Sequence, residues 1–130
     1  MERMELRSGT KTRVVYAPNG EERCRLQALL PGLMAQERIA AWGRGVSHVA
    51  HGFVAGRNAV TCALPHRGYK HTLCVDMAGW FDSVTAAQLL AAGVEPHIVH
   101  EIAPPALGGV CRQGLPTSPA AANLVAVELD

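Results

Sequence analysis

The sequence predicts an α+β fold in which short strands pack with several helices. Three observations carry this. Residues 10–17 mix β-branched, aromatic and basic side chains in the manner of a strand. Leu26, Leu29, Leu30 and Leu33 recur at near-helical spacing. Leu73-Cys74-Val75 is an apolar run ending in Asp76, the pattern of a short buried strand that delivers an acid to the mouth of a sheet. A chain of 130 residues makes at most one modest domain. A complete domain of that size buries about 68–70% of its unfolded surface, enough for a core.

In chain order, residues 1–9 form a charged lead and the strand over 10–17 follows. Pro18-Asn19-Gly20 is a turn, with fixed φ at proline and two residues that tolerate positive φ. Glu21 and Glu22 suit the positive end of a helix that Pro31 should kink or divide and that reaches about Trp42 before Gly43-Arg44-Gly45. Residues 50–58 form a glycine-containing loop. Its Asn58 caps a helix reaching about Ala63, which Pro65 stops. Beyond the Asp76 strand, Asp82 or Ser83 caps a helix through Leu90 that Gly93 closes. A shorter helix covers 95–102, ended by Pro104-Pro105. Two Gly/Pro-rich turns then flank a short extended piece. Ser118-Pro119 opens a last, largely apolar and therefore buried helix over 120–129.

Composition removes several classes of function. Hydrophobic residues make up 48% and charged residues 18%, a globular balance. No apolar run approaches the roughly 18 residues of a membrane span. Residues 1–7 are charged throughout, without the apolar core of a signal peptide. This predicts a cytoplasmic protein with no membrane partner. Cys24, Cys62, Cys74 and Cys111 are widely spaced and read as small apolar residues. The pairs His48/His51 and His97/His100 offer H-x-x-H spacing without the two further ligands that zinc needs. Net charge is only +1, but residues 1–60 hold nine Lys/Arg against five Asp/Glu and residues 61–130 hold three against six. A basic front half and an acid-bearing back half suit polyanions in front and cations behind; a solvated mixed surface is the alternative.

Two places stand out as candidate sites. Asp76 at a strand end can hold a cation on a fixed backbone, and Gly79 leaves the next turn bare for a phosphate. An ordinary Asp N-cap is the other reading. Arg57, beside Gly56 and ahead of a helix start, is placed to meet an anion or to serve as a surface arginine.

Several separated stretches then match one family. The chain resembles bacterial reverse transcriptases of the retron type over nearly all of residues 10–130. Residues 13–19 with Leu26-Gln27-Ala28-Leu29-Leu30 look like the first fingers motif. Residues 50–58 look like the second, where the family usually has Pro at the position of Ala55 and often Ser at that of Asn58. Residues 73–84 are similar to the palm motif carrying the first catalytic aspartate. Gln113-Gly114-Leu115-Pro116-Thr117-Ser118-Pro119 is similar to the Q-G-x-P-T-S-P run. Its Pro-Thr-Ser-Pro ending favours retron-type enzymes over group II intron enzymes. Pro119 also differs from the Gln usual in diversity-generating retroelement enzymes.

The resemblance implies a fingers-like region over 10–70 and a partial palm over 71–130. It implies an RNA-directed DNA polymerase that adds deoxynucleotides from dNTPs to a DNA or RNA primer on an RNA template. Such enzymes use two divalent ions, magnesium here, about 3.5–4 Å apart. Asp76 would be the metal ligand and catalytic carboxylate. Phe81 would lie beneath the sugar and exclude a 2′-hydroxyl. Gly79 would lie near the triphosphate, Arg13 and Arg57 would neutralise phosphate charge, and Gln113 with Gly114 would border sugar and base.

One departure matters. The family completes its metal site with a Tyr-x-Asp-Asp hairpin, and no Asp-Asp pair occurs in this sequence. The thumb is missing too. The expectation is therefore the N-terminal part of a polymerase, either truncated or complemented, with Tyr-x-Asp-Asp carried by a downstream segment or by a second polypeptide. A non-catalytic RNA- or partner-binding module and a decayed fragment are the alternatives. The uncovered 73–76 strand edge predicts poor solubility or self-association.

Overall fold

Gly9 takes a φ of +59° and Thr10 stays at negative φ, which fits a two-residue type II′ hairpin turn. That turn pairs β1 (Glu2–Ser8) with β2 (Lys11–Ala17), antiparallel, in a register running from Glu2 opposite Ala17 to Ser8 opposite Lys11. The structure, a computed structural model, describes residues 1–45 and 50–128. The fold is α+β: among the described residues, one two-stranded sheet is followed by helices. The expected strand over 10–17 is present. Its partner lies in the charged lead, where every residue of β1 is exposed and the hydrophobic alternation that marks a half-buried strand is weak.

Asn19 starts α1 (Gly20–Gly43) with a capping box. Its side chain accepts the Glu22 N–H at 2.9 Å, and the Glu22 carboxylate accepts the Asn19 N–H at 2.9 Å. That backbone donor, with the N-terminal amino group at 3.0 Å, holds the Glu22 carboxyl below its usual range. Pro31 neither ends nor divides the helix. It sits on the exposed side, while Leu26, Leu33, Glu37 and Ala41 form the buried stripe. Packing along that stripe outweighs the one backbone bond that proline removes.

Asn58 caps α2 (Ala59–Ala63) as expected, and Pro65 falls in a 3₁₀ turn, Leu64–His66. Residues 71–77 then form no strand, against the sequence expectation. They run without turn, bend or ladder, and Leu73 and Val75 are 87% and 86% exposed. A β-strand is defined by its neighbour, and among the described residues nothing pairs with this segment.

The next helix is divided, with α3 (Trp80–Ser83) and α4 (Ala86–Ala91) separated at Val84. The carbonyl of Val84 accepts the Cys111 N–H at 2.9 Å, and the Ala86 N–H donates to the Gly109 carbonyl at 2.8 Å. Thr85 also forms a bridge with Val110. This small ladder draws the backbone out of the helix. Thr85 and Gln88, rather than Asp82 or Ser83, then supply the capping box of α4. The remaining helices are α5 (Pro96–Ile102) and α6 (Ser118–Ala126), with a 3₁₀ turn at Pro105–Leu107 between them. The core joins Leu26 and Leu33 to Val84, Leu89, Val99 and Ile102, with Cys111, Leu115 and Leu124. As expected, α6 is buried over most of its surface. The helix ends at Ala126, capped by Val127, with a turn at 127–128 in place of the predicted continuation; residue 129 lies outside the described residues.

No helix among the described residues is long and apolar enough to cross a membrane.

Candidate functional site

The turn at 113–114 is seated on β2. The Tyr16 N–H donates to the Gln113 carbonyl at 2.8 Å. Gly114 has φ +102°, and a Cβ there would collide with the Tyr16 carbonyl and lie 2.5 Å from Val15 Cγ1. Glycine is required at this position by backbone conformation and by close approach together. Arg13 lies on the same strand, exposed and opposite Leu6. The fold thus brings the Gln-Gly turn and the Arg13 strand into one unit.

Arg112 fastens that unit to α3 and to the 3₁₀ turn at 105–107. Its Nη1 donates to Asp82 Oδ1 at 2.9 Å, its Nε donates to the Leu107 carbonyl at 2.9 Å, and its guanidinium lies 5.5 Å from the Tyr16 ring centroid. Ser118 Oγ donates to the Arg112 carbonyl at 2.7 Å. Sequence reasoning assigned Arg112 no role, because its partners Asp82 and Tyr16 are distant in the chain. Its place directly before Gln113-Gly114 was the available signal. Thr117, in the same run, is fully buried, and its Oγ1 has no hydrogen-bond partner among the described residues.

The segment carrying Asp76 has a free end and an anchored end. Asp76 is exposed, and no hydrogen bond or ion pair among the described residues involves it. Gly79 adopts the left-handed conformation with open space around it and begins α3. Its carbonyl accepts the Ser83 N–H at 3.1 Å and Ser83 Oγ at 3.2 Å. Phe81 is half-buried and packs against the core. The aromatic is therefore held, while the acid five residues earlier stands in solvent.

Arg57 is elsewhere. It donates to the Ala50 carbonyl and lines a cavity of about 490 Å³ between α1, α6 and the 50–57 loop. Asn123 of α6 holds this loop by donating to the Gly52 carbonyl at 2.8 Å. Phe53 takes a φ of +58° within it, a rare conformation for a bulky residue.

The residues present do not fit a magnesium site by themselves. Magnesium calls for carboxylates acting together with substrate phosphates. No group of three or more His, Cys, Asp or Glu side chains that could hold a metal occurs among the described residues. The acid nearest in sequence to Asp76, Asp82, is engaged by Arg112. Of the histidine pairs, His48 lies outside the described residues. Burial pushes the Cys111 thiol up to about 12.

With this geometry in place, comparison with known proteins gives a class: the chain is similar to retron reverse transcriptases. Retron Mx65 reverse transcriptase of Myxococcus xanthus is 35% identical over 141 aligned positions, covering 91% of this chain and 31% of that protein. Retron Mx162 reverse transcriptase of the same organism is 37% identical over 79 positions, covering 61% of this chain and 15% of that protein. The chain therefore spans less than a third of the length of these relatives. No family model matches it, and no solved structure matches it.

Proposed function

We propose that this chain is the fingers and front-palm part of a retron-like RNA-directed DNA polymerase, acting together with a Tyr-x-Asp-Asp hairpin and thumb supplied by a downstream segment or by a second polypeptide. The observation that carries the reading is the 35% identity extending over 91% of the chain to a protein named as a retron reverse transcriptase. In this reading residues 10–70 are fingers-like and 71–130 palm-like, with Asp76 as one metal ligand among several. Arg13 and Arg57 face phosphates, Gly79 and Phe81 border the nucleotide, and Gln113 with Gly114 line its sugar and base. The exposure of Asp76 suits a carboxylate awaiting partners from another segment. The template is RNA, the primer DNA or RNA, and the building blocks dNTPs.

The test is primer extension on an RNA template with this chain and a complementing Tyr-x-Asp-Asp polypeptide mixed. Extension is expected from the mixture, from neither part alone, and should fall at least about a hundredfold with Asp76→Ala. Extension that survives Asp76→Ala removes the catalytic assignment.

A second reading is favoured by the absence of an acidic cluster among the described residues. In it the chain binds RNA without catalysing. Its RNA affinity would fall with salt yet ignore Asp76→Ala.

A further inference from the structure

Two large aromatic side chains line the cavity between α1, α6 and the 50–57 loop, and both are mostly in water. Trp42, from the last turn of α1, is 79% exposed, and Phe53 is 71% exposed. Two of the three charged groups lining the cavity, Arg38 and Arg57, are cations; the third, Glu37, is nearly buried. The volume, about 490 Å³, falls in the range of small-ligand sites, roughly 300–1,000 Å³, and has room for a nucleobase with its sugar.

The loop that carries Phe53 is built, not loose. Asn123 fixes Gly52, and Arg57 fixes Ala50, on either side of the left-handed Phe53. Strained backbone at a bulky residue is retained where the surroundings hold it, and such positions gather at ligand clamps. An aromatic held out in water beside a cation is the arrangement that stacks an unpaired base and neutralises its phosphate. The half of the chain that carries Trp42, Phe53 and both arginines holds nine Lys/Arg against five Asp/Glu, so a polyanion is favoured over an apolar peptide.

We infer that this cavity takes an unpaired base of single-stranded RNA, stacked on Trp42 and Phe53, with Arg38 toward a flanking phosphate. The inference rests on the RNA-binding part of the proposed function and gives it a location. It is independent of whether the chain catalyses.

The experiment uses the full chain carrying Trp80→Phe, so that Trp42 is its only tryptophan, titrated at low salt with oligouridylate of about 12 nucleotides. Binding should quench Trp42. Trp42→Ala and Phe53→Ala, checked for intact helix content, should each weaken binding about 5- to 150-fold by anisotropy of a labelled oligonucleotide. Trp42→Phe should retain most of the affinity. Arg38→Gln should lower the salt slope by about one. RNA binding unchanged in both alanine variants overturns the cavity assignment and leaves the RNA-binding reading standing. Absence of RNA binding by the parent chain overturns both. Quenching of Trp42 by an amphipathic Leu/Lys peptide, but not by RNA, assigns the cavity to a protein and overturns the inference.

Discussion

Gly114 shows how one residue type can be dictated twice. Its φ of +102° is a conformation that side chains rarely adopt, and the space a Cβ would need is filled by the β2 backbone. The strain of such a backbone costs about 1–3 kcal/mol, and forced overpacking about 1–3 kcal/mol more. Gly114→Ala is therefore expected to lose about 2–6 kcal/mol in a urea titration, with the turn lifting off Tyr16. Gly79→Ala meets only the backbone penalty, because nothing lies within 4 Å of its Cβ position. Cys111 offers a second test. Three cysteines are exposed and Cys111 is buried, so Ellman's reagent at mild alkalinity should count three fast thiols and one that waits for unfolding. Because burial lifts this thiol from 9.0 to about 12, the folded state keeps its proton where the unfolded state loses it. The associated stability is fully present below about pH 9 and declines as the pH rises toward 12. In Cys111→Ala that alkaline decline should be shallower.

Among the elements, capping and termination were the most legible in sequence. Asn58, the Gly43-Arg44-Gly45 stop, Pro104-Pro105 and the apolar last helix all follow local chemistry that works without knowledge of distant contacts. The misreadings share one cause, which is that a distant segment decided the outcome. Val84 leaves the helix because Cys111 claims its carbonyl. Pro31 stays inside α1 because the stripe through Leu33 and Glu37 is buried. β1 exists because β2 pairs with it, although all seven of its residues are exposed. Arg112 is the clearest case at the candidate site, joining the 105–107 turn, α3 and the Tyr16 ring through one fork. The pair with Asp82 counts for little, since that carboxylate is 58% exposed. The donation to the Leu107 carbonyl is the larger part, a hydrogen bond from a charged group worth about 1.5–3 kcal/mol. Arg112→Met is expected to cost about 1–3 kcal/mol in thermal or urea unfolding. Asp82→Asn should cost under about 1 kcal/mol. An equal loss in both variants would place the weight on the ion pair instead.

At the scale of the whole molecule, the core and the candidate catalytic acid belong to different regimes. The core gathers α1, α4, α5 and α6, while the run at 71–77 stands outside it with its backbone unpaired among the described residues. Leu73 and Val75 are almost wholly in water, Met77 is half exposed, and all three fall on alternate positions. An unpaired run with one apolar edge is a template for another strand, whether from a complementing polypeptide or from a second copy. Asp76, between Val75 and Met77, points to the opposite side if the run is drawn into a sheet, because successive side chains of a strand alternate. The apolar row and the acid can therefore be separated by mutation. The chain alone is expected to self-associate with rising concentration in sedimentation velocity. Leu73→Lys with Val75→Lys should shift it toward monomer, because charges on an open edge oppose pairing, while Asp76→Ala should leave the association unchanged. The lysine pair should also lower the affinity for a complementing Tyr-x-Asp-Asp polypeptide, whereas Asp76→Ala should abolish extension without lowering that affinity. A monodisperse parent chain at high concentration, melting cooperatively, would show that the 71–77 edge needs no partner, and the assembly of two polypeptides around it would lose its physical motive.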